Sequence, residues 1–249
     1  MKFLSCCIFM LGGLLGAGAQ EKEKPRHVRF LAVGDMPPFR QEIRDGVRYE
    51  LEAEPGTIPP RQIQIPFGEE KTLNTILSLG AFSPQLTIPA GANTLRMQKN
   101  EGEKLVDWHE VAIPAQGSSL VVLWRDPEKK TWEAARSTVI ADDSIAFPAG
   151  SVRLINILPT TARFVFTAQQ SIELPAGSLK VLPLPQATTP VQISVLGAEQ
   201  QWHVVYQSAI TQNPGERGNV ILYRADGVSP RSPVKVLNLR ERAPVPPAP

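Results

Sequence analysis

Histidine occurs three times, at His27, His109 and His203, and two of the three directly follow a tryptophan, as Trp108-His109 and Trp202-His203. Imidazole is the side chain best suited to metal ligation or proton transfer near neutral pH, so a recurring Trp-His pair is the first place to look for chemistry. Successive strand residues face opposite sides of a sheet. A strand tryptophan is also a large core anchor. The pattern therefore assigns Trp108 and Trp202 to two separate cores and leaves the histidines nearer solvent, too far apart for a shared site.

Trp124, Trp132 and Tyr223 offer a different chemistry. Trp124 and Trp132 flank the charged turn Asp126-Pro127-Glu128-Lys129-Lys130, and if both faced outward they would form a platform for stacking on a sugar ring. A cross-strand aromatic pair sealing a core edge is the competing arrangement. Glu50, Glu52 and Glu54 fall on one strand face as a solvated stripe. Asp142-Asp143 reads as an exposed turn with too few oxygens for calcium, which takes six or more. No H-E-x-x-H, G-x-S-x-G or phosphate-binding glycine loop is present. The expectation is a protein without catalytic residues, metal or cofactor.

The elements that position these residues are strands. Twenty-four prolines in 249 residues is about twice the usual share and argues against helices. Alternation with a period of two marks residues 27–33, 48–54, 62–67 and 191–195 as half-buried strands, with Tyr49, Leu51 and Ala53 inward in the second. Residues 118–125 are nearly continuous in apolar side chains, as a strand between two layers would be. Residues 72–82 fit a short helix or a strand equally. Pro-Ala-Gly recurs at Pro89, Pro148 and Pro175, a strand stop followed by a turn.

Pairing Val28 with Val152, Pro89 with Pro175, Trp108 with Trp202, Ala112 with Ala209 and Trp124 with Tyr223 makes the chain one unit used twice, with an insertion in the first copy between Phe39 and Leu86. The expected fold is all-β, as two tandem antiparallel β-sandwich domains of immunoglobulin-like type. The first domain spans residues 28–136, a connecting segment residues 137–150, and the second domain residues 151–240. Residues 20–27 form a flexible lead-in and residues 241–249 a proline-rich disordered tail.

Residues 1–19 have a basic start at Lys2, an apolar middle and Ala17-Gly18-Ala19 before the expected cut, which is the grammar of a secretory signal peptide. Both cysteines, Cys6 and Cys7, would leave with it. The expected location is secreted or periplasmic. Apolar residues make up 42% and charged residues 20% of the chain, with a formal charge of +2, a globular composition without a field for nucleic acid. No later stretch is long and apolar enough to span a bilayer. The function expected is binding, scaffolding or structural work at a cell envelope, with an unknown protein or glycan partner, as a monomer or weak oligomer. A carbohydrate-binding module and an unrecognised hydrolase are the alternatives.

Overall fold

A computed structural model describes residues 26–68, 71–129, 131–167, 170–184, 186–226 and 230–244. The expected signal peptide and most of the proline-rich tail lie outside the described residues. Among them the regular structure is entirely strand, and no helix is long and apolar enough to cross a membrane. In the first half the strands are β1 (Arg26–Val33), β2 (Arg40–Arg44), β3 (Val47–Leu51), β4 (Gln62–Phe67), β5 (Lys71–Ile76), β6 (Leu86–Ile88), β7 (Thr94–Glu101), β8 (Lys104–Ala112), β9 (Ser119–Arg125) and β10 (Ala135–Ala141). In the second they are β11 (Ser151–Asn156), β12 (Ala162–Thr167), β13 (Gln170–Leu174), β14 (Leu179–Pro183), β15 (Thr188–Leu196), β16 (Trp202–Thr211), β17 (Glu216–Arg224) and β18 (Val234–Arg242).

The two halves repeat one topology. An inner sheet of order β10-β9-β1-β6 is matched by β18-β17-β11-β14, and an outer sheet β5-β4-β7-β8 by β13-β12-β15-β16. The inner sheets are not purely antiparallel, contrary to expectation: β1 runs parallel to β9, and β11 runs parallel to β17. These four strands carry apolar residues on both faces because both faces are covered. Val28, Phe30, Val121 and Leu123 join Ile63, Ile65, Leu95 and Met97 in one core. Val152, Leu154, Val220 and Leu222 join Phe164, Ile193 and Ile210 in another. The alternate residues Leu31, Val33, Val122, Ile155, Ile221 and Tyr223 form a third cluster between the inner sheets.

That third cluster is built from equivalent positions. The parallel registers align Val28 with Val152 and Ser119 with Gly218, so Leu31 corresponds to Ile155, Val122 to Ile221 and Trp124 to Tyr223. Equal residues meeting at one face is the arrangement of an isologous, two-fold contact, here between the halves of one chain.

The Trp-His register does not survive. In each outer sheet a bulge skips one residue of the last strand: Met97 pairs with His109 and Gln98 with Asp107, while Ile193 pairs with Tyr206 and Ser194 with Val204. The bulge residues Trp108 and Val205 are therefore equivalent, and Trp202 corresponds to Leu105. Trp108 is buried in the first core, but Trp202 is only half-buried and lies under the Arg163 guanidinium, 3.9 Å from its ring centre. A bulge re-aims side chains, which is how Trp108 and His109 come to lie 6.0 Å apart in a tilted contact and both partly inside.

Other expectations also change. His27 belongs to β1 and not to a flexible lead-in. β10 runs to Ala141, so the link between halves is shorter than residues 137–150. Of the two readings left open for residues 72–82, the strand holds: they supply most of β5 and a few isolated bridges. The three Pro-Ala-Gly glycines, Gly91, Gly150 and Gly177, all have positive φ (77°, 75° and 69°), as their turns require. They sit at non-equivalent places, after β6, before β11 and between β13 and β14. β4, β5 and β6 have counterparts, which confines the insertion to residues 34–61, where the second half has only residues 157–161.

Candidate interaction surface

The aromatic trio does not form an outward platform. Trp132 is 1% exposed and lies in the first core, where its carbonyl accepts a 2.6 Å hydrogen bond from Trp108 Nε1. Tyr223 and Trp124 pack in the cluster between the halves. The Tyr223 hydroxyl donates to Asp35 at 2.9 Å; burial, together with this hydrogen bond, pushes its pKa above the ordinary tyrosine range. Asp35 also accepts from Lys235 Nζ at 2.8 Å and from the Asp226 N–H at 3.0 Å. Burial pushes the Asp35 carboxyl up, but these donors outweigh it and hold it below its usual value. Sequence pattern could not have paired Asp35 with Tyr223, because the contact crosses from one half to the other.

Asp142 is the clearest departure from the sequence reading. It is buried, and its two oxygens bind Arg29 Nε at 2.6 Å and Arg153 Nη2 at 3.0 Å. Glu241 binds both Arg29 and Arg217. The buried Phe147 ring lies beneath Arg153 and Arg217, at 4.2 and 4.8 Å. Burial lowers the pKa of Arg153 despite Asp142 beside it. Arg29 of the first half thus meets Glu241 of the second, and Asp142 joins Arg29 to Arg153, so the cluster clamps the halves together, with Arg217 Nε left without a hydrogen-bond partner among the described residues.

His109 Nε2 lies 2.8 Å from Ser137 Oγ, and burial lowers its pKa. A nucleophilic pair needs a third group to orient the imidazole, and among the described residues none hydrogen-bonds the other ring nitrogen. The adjoining depression, lined by Arg96, Asp107, Trp108, His109 and Glu110, holds about 200 Å³, below the usual range for small-molecule sites. Among the described residues no group of three or more His, Cys, Asp or Glu is arranged to hold a metal.

The β2–β3 hairpin has the features of a contact element. Its turn is Asp45-Gly46, with φ of 52° and 78°, the two-residue type I′ form whose twist suits a hairpin. It forms a sheet of its own and belongs to none of the larger sheets. Of the eleven large apolar side chains exposed among the described residues, Ile43, Val47 and Tyr49 lie on its strands and Phe39 immediately precedes it, while Met36 and Ile58 lie in the segments of the insertion that flank it. Tyr49 is 49% exposed, not inward as the alternation suggested. Glu50, Glu52 and Glu54 are exposed. The ion pairs Arg44–Glu42 and Arg40–Glu54, at 2.7 and 3.3 Å, are exposed as well and contribute little.

Val47, Tyr49 and Leu51 share one face with Arg40, Glu42 and Arg44, while Gln41, Ile43, Arg48 and Glu50 share the other. A two-stranded hairpin alone is marginally stable in water, and single exposed apolar residues are ordinary, whereas contiguous ones mark interaction surfaces. The sequence places an insertion here but not its exposure, because alternation gives the period of a strand without saying whether a second layer covers it. No family model matches this chain, and no curated protein matches it either.

Proposed function

We propose that this is an exported, non-catalytic binding or scaffolding protein, secreted or periplasmic and associated with the cell envelope. Each half is an immunoglobulin-like β-sandwich unit, the two are rigidly joined, and the β2–β3 hairpin makes the contact. The observation that carries the reading is the concentration of exposed apolar side chains on an element that one half has and the other lacks. The repeated topology supports the tandem-unit part of it, since the second half completes its two sheets without any such hairpin.

The experiment is a deletion. Residues 40–51, whose ends pair with each other, are replaced by two glycines, which leaves Asp35 in its bonds to Tyr223 and Lys235, and the variant is compared with the wild type for cooperative unfolding and for recovery in the envelope fraction of the native host. The expected outcome is a folded protein that no longer fractionates with the envelope. Equal recovery of both proteins would overturn the reading.

A further inference from the structure

We infer that the hairpin is occupied by a second copy of this chain, joined edge to edge through β3 in antiparallel register about Tyr49. This rests on the reading of the hairpin as the contact element and names its partner.

The hydrogen-bonding parity of the hairpin comes first. In a two-residue hairpin the pair flanking the turn, here Arg44 and Val47, is a hydrogen-bonded pair, and the pair types alternate from there. Val47, Tyr49 and Leu51 thus direct their backbone groups toward β2. Arg48 and Glu50 direct theirs to the outer edge, which pairs with no other strand among the described residues.

A second β3 laid antiparallel with the two Tyr49 residues opposite each other brings Arg48 against Glu50 of the second copy, and Glu50 against its Arg48. These are the residues with outward backbone groups, so the ladder and the charge pairs fall in the same register. Tyr49 faces Tyr49 as a non-hydrogen-bonded pair, the type with closer side chains. Val47 faces Leu51 on the same side, so one face of the resulting four-stranded sheet carries a continuous apolar ridge. Opposite charges and aromatic pairs directly across a ladder both stabilise it.

The β2 edge is the less suited of the two. Pro37-Pro38 lie just before it, and proline blunts an edge. Pairing there would bring only Ile43 against its copy.

The test is sedimentation velocity on residues 20–249 over a wide concentration range. The wild type is expected to show a reversible monomer–dimer equilibrium. Arg48→Glu and Glu50→Arg each place two like-charge pairs across the ladder, and each is expected to raise the dimer dissociation constant by at least about tenfold. An equimolar mixture of the two variants is expected to form a heterodimer at wild-type strength, because every crossing pair is again opposite in charge. The double exchange Arg48→Glu/Glu50→Arg should restore the homodimer. Recovery in the mixture separates charge matching from misfolding.

A wild type that stays monomeric throughout, or a dimer indifferent to both single changes, would overturn the inference. If the wild type is monomeric and the deletion still abolishes envelope recovery, the hairpin remains the contact element with a different partner. If the deletion also changes nothing, both readings fall.

Discussion

Arg29 and Arg153 occupy equivalent positions in the two halves and share one carboxylate, Asp142, each binding a different oxygen, at 2.6 and 3.0 Å. The Arg153 side chain is 0% exposed. Removing one partner of a buried pair leaves the other charge stranded, a loss of about 3–5 kcal/mol. Asp142→Ala is expected to destabilise the protein by about that much in urea unfolding. A loss below about 1 kcal/mol would show that the three arginines are adequately served by Glu241 and backbone carbonyls.

The bulge register predicts unequal tryptophans. Trp108→Ala opens the first core and is expected to cost about 3–5 kcal/mol. Trp202→Ala removes a half-buried ring and its cation–π contact with Arg163, worth about 0.5–1 kcal/mol at an accessible site. Equilibrium unfolding of both variants checks this, and equal losses would restore the Trp-His register.

Substitution on the hairpin is expected to leave the fold intact. Tyr49→Ser and Ile43→Ser alter side chains 49% and 62% exposed, and surface changes usually stay within about 0.5 kcal/mol. Thermal unfolding at low protein concentration, where association is weak, is the appropriate measurement. A large drop in Tm for either would place the hairpin within the cooperative fold.

Acidification has a defined sign at His109. Burial lowers its pKa in the folded protein, so the unfolded chain binds more protons once the pH falls into the ordinary histidine range. Stability should then decrease as the pH falls through that range, because unfolding takes up protons. His109→Gln, which keeps a polar contact for Ser137, should flatten this slope. Unfolding free energies measured at several pH values with both proteins test it, and identical slopes would count against a buried neutral imidazole.

Strand positions and the duplication were legible because they depend on local period and on repetition. Alternation found β4 and β15, and the unbroken apolar run of residues 118–125 announced a strand covered on both sides. What escaped were properties set across the two halves. Asp142 looks like a turn residue until Arg29 and Arg153 converge on it, and Tyr223 and Trp124 look like candidate ligand platforms until the other inner sheet covers them. The Trp-His echo misled for a local reason. Identical dipeptides three positions out of register were easier to see than the equivalence of Trp108 with Val205, which only the strand pairing on either side of each bulge fixes.

The parallel pairs set the order in which the chain acquires structure. β1 has β9 as its neighbour and β11 has β17, so each inner sheet joins strands from opposite ends of its half. Pairings so distant in sequence form slowly, because the loop entropy is spent before the contact is gained. The β2–β3 turn closes on the microsecond scale of local hairpins. The inner sheet of the first half therefore cannot close until β9 has been made, whereas its local hairpins β2–β3, β4–β5 and β7–β8 can form as soon as both of their strands exist.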